Sequence, residues 1–86
     1  MNYAQLLKEK GFSLNDYPDG KYYVLIADTD EHYDEGQQIL KVFGFEDEYP
    51  DTVILQCKED FTNCSLYTGY VFDFGTEEFM KLVEKL

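Results

Sequence analysis

Arginine is missing from the 86-residue sequence, so lysine alone supplies the basic side chains. The seven lysines face 18 aspartates and glutamates, and the formal net charge at pH 7 is −11. Binding to nucleic-acid phosphates depends on clusters of lysine and arginine, and anionic membrane surfaces attract basic segments. The composition therefore argues against direct binding of nucleic acid and against binding to a membrane surface. A small domain of this charge is expected to attract basic partner proteins over a long range.

Cysteine is also scarce, because the sequence has only Cys57 and Cys64. Two cysteines do not make the disulfide framework of a small secreted domain. A bridge between them is geometrically possible if they face each other across a hairpin. In a reducing cytosol, however, we expect two half-buried thiols.

Long apolar runs are absent as well. No segment of the sequence approaches the ~20 residues that a membrane-spanning helix needs. The first residues, MNYAQLLKEK, do not place a basic region before an apolar stretch, so this pattern does not indicate a signal peptide. We therefore expect a cytoplasmic protein without membrane association.

The length allows one domain, which we place at 1–86. A chain this short buries only about 60 to 65 % of the surface that its unfolded form exposes. Tryptophan is absent, but the sequence has eight tyrosines and seven phenylalanines. Large rings bury much area per residue, so the composition predicts a folded domain with a thin, aromatic core.

The motif L-K-x-x-G-F occurs twice, at 7–12 and 40–45, and each copy precedes Tyr-Pro-Asp and an apolar run. Gly11 and Gly44 suit the left-handed position that ends a helix, and the phenylalanine that follows each glycine is placed to contact the leucine five residues earlier. Each copy therefore encodes helix, stop, turn and strand. An old duplication of 2–28 and 30–57 would explain the repeat, and convergence would explain it equally well. The shared residues carry no chemistry.

Three strands are predicted, at 21–28, 52–57 and 64–74, with a bulge at Gly69 in the last one. Three helices are predicted to begin near Asn2, Asp30 and Thr76. The predicted order is α-β-α-β-β-α. We expect an α+β fold with a three-stranded mixed sheet and three helices mainly on one face, in which a helical crossover makes the first two strands parallel.

The stretch VLIADTDEH, at 24–32, is the strongest candidate for catalytic chemistry. An apolar strand that ends in Asp-x-Asp resembles the entry motif of haloacid-dehalogenase-type phosphatases. The resemblance would imply a magnesium-dependent enzyme that uses Asp28 and Asp30. The chain is too short for the sheet of that family, and it has no arginine for phosphate. We expect instead that the two aspartates mark a strand exit and a helix cap, and that the protein is not an enzyme and holds no metal or cofactor.

Acidic residues are concentrated in three clusters. The first contains Asp28, Asp30, Glu31, Asp34 and Glu35, the second Glu46, Asp47, Glu48 and Asp51, and the third Glu59 and Asp60. The exits of parallel strands share one end of a sheet, so we expect the first and third clusters to be neighbours. Aromatic residues are enriched in interface cores, which adds Tyr33 and Phe61 to this edge. The predicted partner-binding residues are Asp28, Asp30, Glu31, Tyr33, Asp34, Glu35, Glu59, Asp60 and Phe61.

The leading hypothesis is a small acidic protein that blocks a basic, nucleic-acid-binding surface of a partner protein. Its carboxylates would stand in for phosphates, which makes it a nucleic-acid mimic. In composition alone it resembles inhibitors of the phage or mobile-element type, such as anti-CRISPR proteins. An immunity protein or antitoxin that neutralises a basic toxin is the alternative with the same electrostatics. A magnesium-dependent enzyme is the alternative of another class. The sequence indicates no oligomeric state.

Overall fold

The computed structural model describes residues 2–27, 30–48 and 52–86. Within these ranges the chain forms three α-helices, one short 3-10 helix and five strands. The helices are α1 (Tyr3–Glu9), α2 (Tyr33–Phe43) and α3 (Thr76–Glu84), and the 3-10 helix (Asp30–His32) leads into α2. The strands are β1 (Ser13–Tyr17), β2 (Gly20–Ala27), β3 (Val53–Lys58), β4 (Cys64–Tyr67) and β5 (Val71–Phe74).

A single antiparallel sheet contains all five strands, in the order in which they occur in the chain. The prediction of an α+β fold is confirmed, but that of a three-stranded mixed sheet is wrong. β2 and β3 run antiparallel, with Tyr22 opposite Lys58 and Ala27 opposite Val53. α2 therefore returns the chain to a neighbouring strand without a parallel crossover. As a consequence, the loops that follow β2 and β3 leave from opposite ends of the sheet.

Two local features account for the strands that the sequence did not reveal. All five residues of β1 are exposed, so this segment lacks the alternating apolar pattern of a half-buried strand. The predicted strand at 64–74 is in fact two strands, because Gly69 has a φ of 98° and lies in the turn between β4 and β5 rather than in a bulge. Across this turn the N–H of Thr68 donates to the carbonyl of Tyr70 at 2.9 Å.

The repeated motif ends α1 and α2 in the same way. Gly11 and Gly44 have φ angles of 96° and 86°, in the left-handed region. The N–H of Phe12 donates to the carbonyl of Leu7 at 3.0 Å, and the equivalent bond of the second copy is 2.7 Å long. Such six-to-one hydrogen bonds define the Schellman motif. Both predicted helix stops are therefore confirmed.

The chain differs after the two stops. A hairpin of β1 and β2 follows the first, whereas the single strand β3 follows the second. The second Tyr-Pro-Asp lies outside the described residues. The duplication of 2–28 and 30–57 stays a hypothesis.

The helices cover one face of the sheet. From the sheet, the core contains Tyr23, Ala27, Val53, Leu55, Cys57, Cys64 and Leu66, and from the helices and their ends Leu7, Phe12, Ile39, Leu40, Phe43, Phe79, Met80 and Val83. Side chains alternate between the two faces of a strand, so the intervening residues project from the other side. We call that side the open face, and on β2 to β5 it consists of Tyr22, Val24, Ile26, Ile54, Gln56, Lys58, Ser65, Tyr67, Val71 and Asp73.

The two cysteines lie on neighbouring strands of the core. Gln56 is opposite Ser65, and one step further along the two strands Cys57 and Cys64 face each other, with Cα atoms 4.0 Å apart. They form a disulfide and are fully buried. The prediction of two half-buried thiols is therefore wrong.

Gly44→Ala tests the second helix stop. A Cβ at this position would meet no heavy atom within 4 Å, so the substitution adds only the strain of a side chain at positive φ. We expect the free energy of unfolding, measured by urea denaturation, to fall by about 1 kcal/mol. Gly44→Asn is the control, and its free energy of unfolding should fall less, because asparagine tolerates the left-handed region better than alanine does. An alanine variant as stable as the wild type would contradict the left-handed helix stop at Gly44.

Reduction tests the disulfide. Cys57 and Cys64 are seven positions apart, and closing a loop of this length stabilises a protein by about 2 kcal/mol in the chain-entropy model. We expect a phosphine reductant to lower the urea midpoint of the wild type correspondingly. The double variant Cys57→Ala/Cys64→Ala should not respond to the reductant. Quantitative thiol labelling of the unreduced protein after unfolding in urea would contradict the disulfide, because bridged cysteines do not react.

Candidate protein-interaction surface

The described part of the first acidic cluster lies at the start of α2. Glu31, Asp34 and Glu35 are exposed, and Tyr33 is exposed between them. Asp34 and Glu35 belong to the first turn of α2, where negative side chains interact favourably with the helix dipole. The local sequence therefore stabilises the helix start and at the same time presents carboxylates to solvent.

Three of the acidic residues lack a described side chain. Asp28 and Asp51 lie outside the described residues, as does the side chain of Asp30, whose backbone begins the 3-10 helix. The partner-binding roles predicted for Asp28 and Asp30 therefore stay predictions. His32, not Asp30, is the N-cap of α2, and it makes no side-chain capping bond. Among the residues that the structure does describe, no three histidine, cysteine or carboxylate side chains are grouped so as to hold a metal ion.

The third acidic cluster lies at the other end of the sheet. Glu59 and Asp60 follow β3 and are exposed. The N–H of Glu59 donates to the carbonyl of Lys21, at the start of β2, at 2.8 Å. The first cluster, in contrast, follows the end of β2. The predicted contact between the first and third clusters is therefore wrong, because β2 and β3 are antiparallel.

Phe61 belongs to the same loop, but its ring packs inward. It stacks on Tyr23, with ring centroids 6.1 Å apart and 9° between the planes, and meets the ring of Tyr3 edge-on at 5.5 Å. The carbonyl of Phe61 accepts a hydrogen bond from Thr76 Oγ1 at the start of α3. The residue thus fastens the β3–β4 loop to three elements. Its partner-binding role stays a prediction.

Two aspartates accept hydrogen bonds from nearby residues within turns. Asp60 Oδ1 accepts from Thr62 Oγ1 at 2.5 Å and from the Thr62 N–H at 3.1 Å. The hydroxyl bond favours the charged form and holds the pKa of Asp60 below its ordinary value. In the β1–β2 turn, Tyr22 Oη donates to Asp19 Oδ2 at 2.6 Å, which lowers the pKa of Asp19 and raises the pKa of Tyr22. These aspartates stabilise local backbone geometry.

The first cluster has the second as its neighbour. Asp34 on α2, together with Glu46 and Glu48 from the loop between α2 and β3, lines a groove of about 360 Å³ that also contains Lys41. In the chain, the first cluster follows β2 and the second precedes β3, and the end of β2 is paired with the start of β3. We call this surface the acidic end, and its described carboxylates are Glu31, Asp34, Glu35, Glu46, Asp47 and Glu48.

In the described ranges, the carboxylates of the acidic end form no ion pair with lysine. Across the described ranges, the only ion pair joins His32 Nδ1 to Glu35 Oε2 at 3.0 Å, and no lysine pairs with a carboxylate. The negative charge therefore remains available to a partner. It also opposes folding, because like charges repel in the compact state.

A row of apolar side chains crosses the open face beside the acidic end. Ile26, Ile54, Tyr67 and Val71 lie opposite one another on β2, β3, β4 and β5. Ile26 is 46 % exposed, Tyr67 38 % and Val71 59 %. We call these four residues the apolar row. Near-continuous apolar runs such as 21–28 and 52–57 are typical of strands that are covered on both faces or central in a sheet, so the row does not stand out in the sequence.

A cavity of about 740 Å³ opens between the end of α1, β2 and α2. Its lining includes Ser13, Ile26, His32 and Glu35, a serine, a histidine and a carboxylate. Ser13 Oγ, however, donates to the carbonyl of Val24 at 3.5 Å, and no hydrogen bond joins it to His32. The cavity thus lacks the contact between base and nucleophile that covalent catalysis requires.

None of the helices in the described ranges is both long and apolar enough to cross a membrane. Comparison of the chain with protein-family models, with curated proteins and with solved structures finds no match. The acidic end and the apolar row are therefore the features on which a function can be based.

The Asp60–Thr62 hydrogen bonds make the β3–β4 loop sensitive to acid. A carboxylate whose pKa is lowered by folding stabilises the protein above its unfolded pKa, and this stabilisation is lost as the pH falls through the folded pKa. Carbon-detected NMR titration should give Asp60 a pKa below that of an aspartate in an unfolded peptide. Thr62→Val removes the hydroxyl donor and should raise the pKa of Asp60. An unchanged pKa in this variant would contradict the assigned cause.

Proposed function

We propose that the protein is a non-enzymatic binding protein that occupies and blocks a basic, nucleic-acid-binding surface of a partner protein. The observation that supports this function is the acidic end, whose carboxylates make no described ion pair with lysine on a chain of net charge −11. Solubility alone needs a smaller imbalance, since a net charge of about 2 to 8 is sufficient for a small domain.

Electrostatic complementarity is the physical basis of this proposal. Nucleic-acid-binding surfaces carry clusters of lysine and arginine that neutralise phosphates. Carboxylates can neutralise the same side chains. Asp34 and Glu35 project from α2, and α2 is fixed to the sheet by buried Ile39, Leu40 and Phe43. The charges are therefore presented on a packed element and not on a mobile tail.

A charge-neutralised variant tests the proposal. Tagged protein would first retrieve its partner from the native host, with identification by mass spectrometry, and binding would then be measured with the purified partner. The acidic-end variant carries Glu31→Gln, Asp34→Asn, Glu35→Gln, Glu46→Gln and Asp47→Asn. We expect its affinity at 0.1 M salt to fall by at least about tenfold, mainly through a slower on-rate. Wild-type binding should also weaken steeply with salt, as the Debye length shortens from about 10 Å at 0.1 M to about 3 Å at 1 M.

The matched control removes the same number of charges elsewhere on the surface. It carries Asp16→Asn, Asp19→Asn, Glu77→Gln, Glu78→Gln and Glu84→Gln, all at exposed positions. We expect the control to bind the partner within about threefold of the wild type, because its acidic end is intact. Duplex DNA should compete with the wild type for the partner. The proposed function would be contradicted if the two variants lost affinity for the partner equally. It would also be contradicted by a partner that binds DNA and the protein simultaneously.

A further inference from the structure

We infer that the apolar row is a docking surface for a protein partner whose contact patch has an apolar centre and a rim of lysine and arginine. This inference rests on the proposed function and deepens it. It assigns the centre of the interface to the open face of the sheet and the rim to the acidic end.

The register of the sheet makes the row continuous. Ile26 faces Ile54, Ile54 faces Tyr67, and Tyr67 faces Val71, so each side chain lies beside the next on the same face. Directly opposed side chains have Cβ atoms about 4.5 to 5.5 Å apart. Tyr70, 71 % exposed in the β4–β5 turn, extends the apolar surface at one end. Isolated exposed apolar residues are ordinary, but a contiguous row across four strands marks a contact surface.

The next open-face residue on β2, Val24, is only 2 % exposed, so the exposed apolar side chains are confined to one end of the open face. The neighbouring positions along β3, β4 and β5 are Gln56, Ser65 and Asp73, which are polar. The row therefore adjoins the point where β2 ends and β3 begins, and this is also where the acidic end lies. An apolar centre beside a charged margin is the usual anatomy of a protein interface.

Charge complementarity decides between possible occupants. A second copy of this chain would carry the same net charge of −11 and would bring one acidic end toward another. A partner with lysine and arginine around its apolar patch meets opposite charge instead. At the other end of the row, Ile26 borders the cavity, which also has Glu9 and Glu35 in its lining. Carboxylates are thus present beyond the row as well as beside it.

Two peptides test the inference with a defined probe. Both have the same length and the same number of lysines; one alternates lysine with leucine and the other alternates lysine with serine. Amide chemical-shift mapping on the labelled protein should place the leucine peptide on the apolar row. In about 0.5 M salt, where charge attraction is largely screened, we expect it to bind at least about tenfold more tightly than the serine peptide.

Variants of the row provide the second arm. Ile26→Thr/Val71→Thr keeps β-branched side chains on the strands and should remove most of this tenfold difference. Leu14→Thr is the matched control, since Leu14 is a 42 % exposed residue of the other edge strand that lies opposite Tyr23 and hence away from the open face. The control should bind both peptides like the wild type. Equal affinities for the two peptides in high salt would overturn the inference, as would amide chemical-shift changes that lie outside the apolar row when the leucine peptide binds. So would a wild-type dimer that sedimentation shows to dissociate in the row variant.

The outcomes separate this inference from the proposed function. If only the docking surface is wrong, both peptides bind equally, their binding depends on salt, and the acidic-end variant weakens both. If the proposed function is wrong, the acidic-end variant and its matched control bind the lysine–serine peptide alike.

Discussion

The antiparallel pairing of β2 with β3 determines which loops of this protein meet. Because Ala27 lies opposite Val53, the segment that follows β2 and the segment that precedes β3 leave from the same end of the sheet. Both segments are acidic, so their carboxylates accumulate there and form the acidic end. A parallel pair would have placed the first acidic cluster beside Glu59 and Asp60. The direction of one strand pair thus determines which acidic clusters are neighbours.

The second constraint is the size of the chain. The chain has 86 residues, and the part that the structure describes forms three short helices that cover one face of a five-stranded sheet. Their contacts are strongly aromatic, for example between Phe43, Phe74 and Phe79, with ring centroids 5.2 to 6.3 Å apart. The other face is only partly exposed, because Tyr22, Val24 and Ser65 on it are buried. At the acidic end this face carries the apolar row, so charge and exposed apolar surface occur side by side.

Features encoded within a few residues could be predicted from the sequence. The helix stops at Gly11 and Gly44 are closed by hydrogen bonds within six residues, so their signal is local. Features that depend on distant pairing could not. β1 is exposed throughout and shows no periodic pattern, and the direction of β3 follows from contacts with β2 that no local motif records. Phe61 appeared as an aromatic residue within an acidic loop, but only the fold reveals that its ring packs on Tyr23.

In the described ranges, no carboxylate of the acidic end pairs with a lysine, and Glu35 pairs with His32 alone, so the negative charge of this surface remains free for a partner. Urea denaturation of the protein alone, at KCl concentrations from about 0.05 M to about 0.5 M, tests whether this charge is uncompensated. If the charges repel one another without compensating ion pairs, screening relieves the repulsion, and the urea midpoint should rise with KCl. A urea midpoint that falls with KCl would show that the carboxylates stabilise the fold through ion pairs. Their charge would then not be free for a partner.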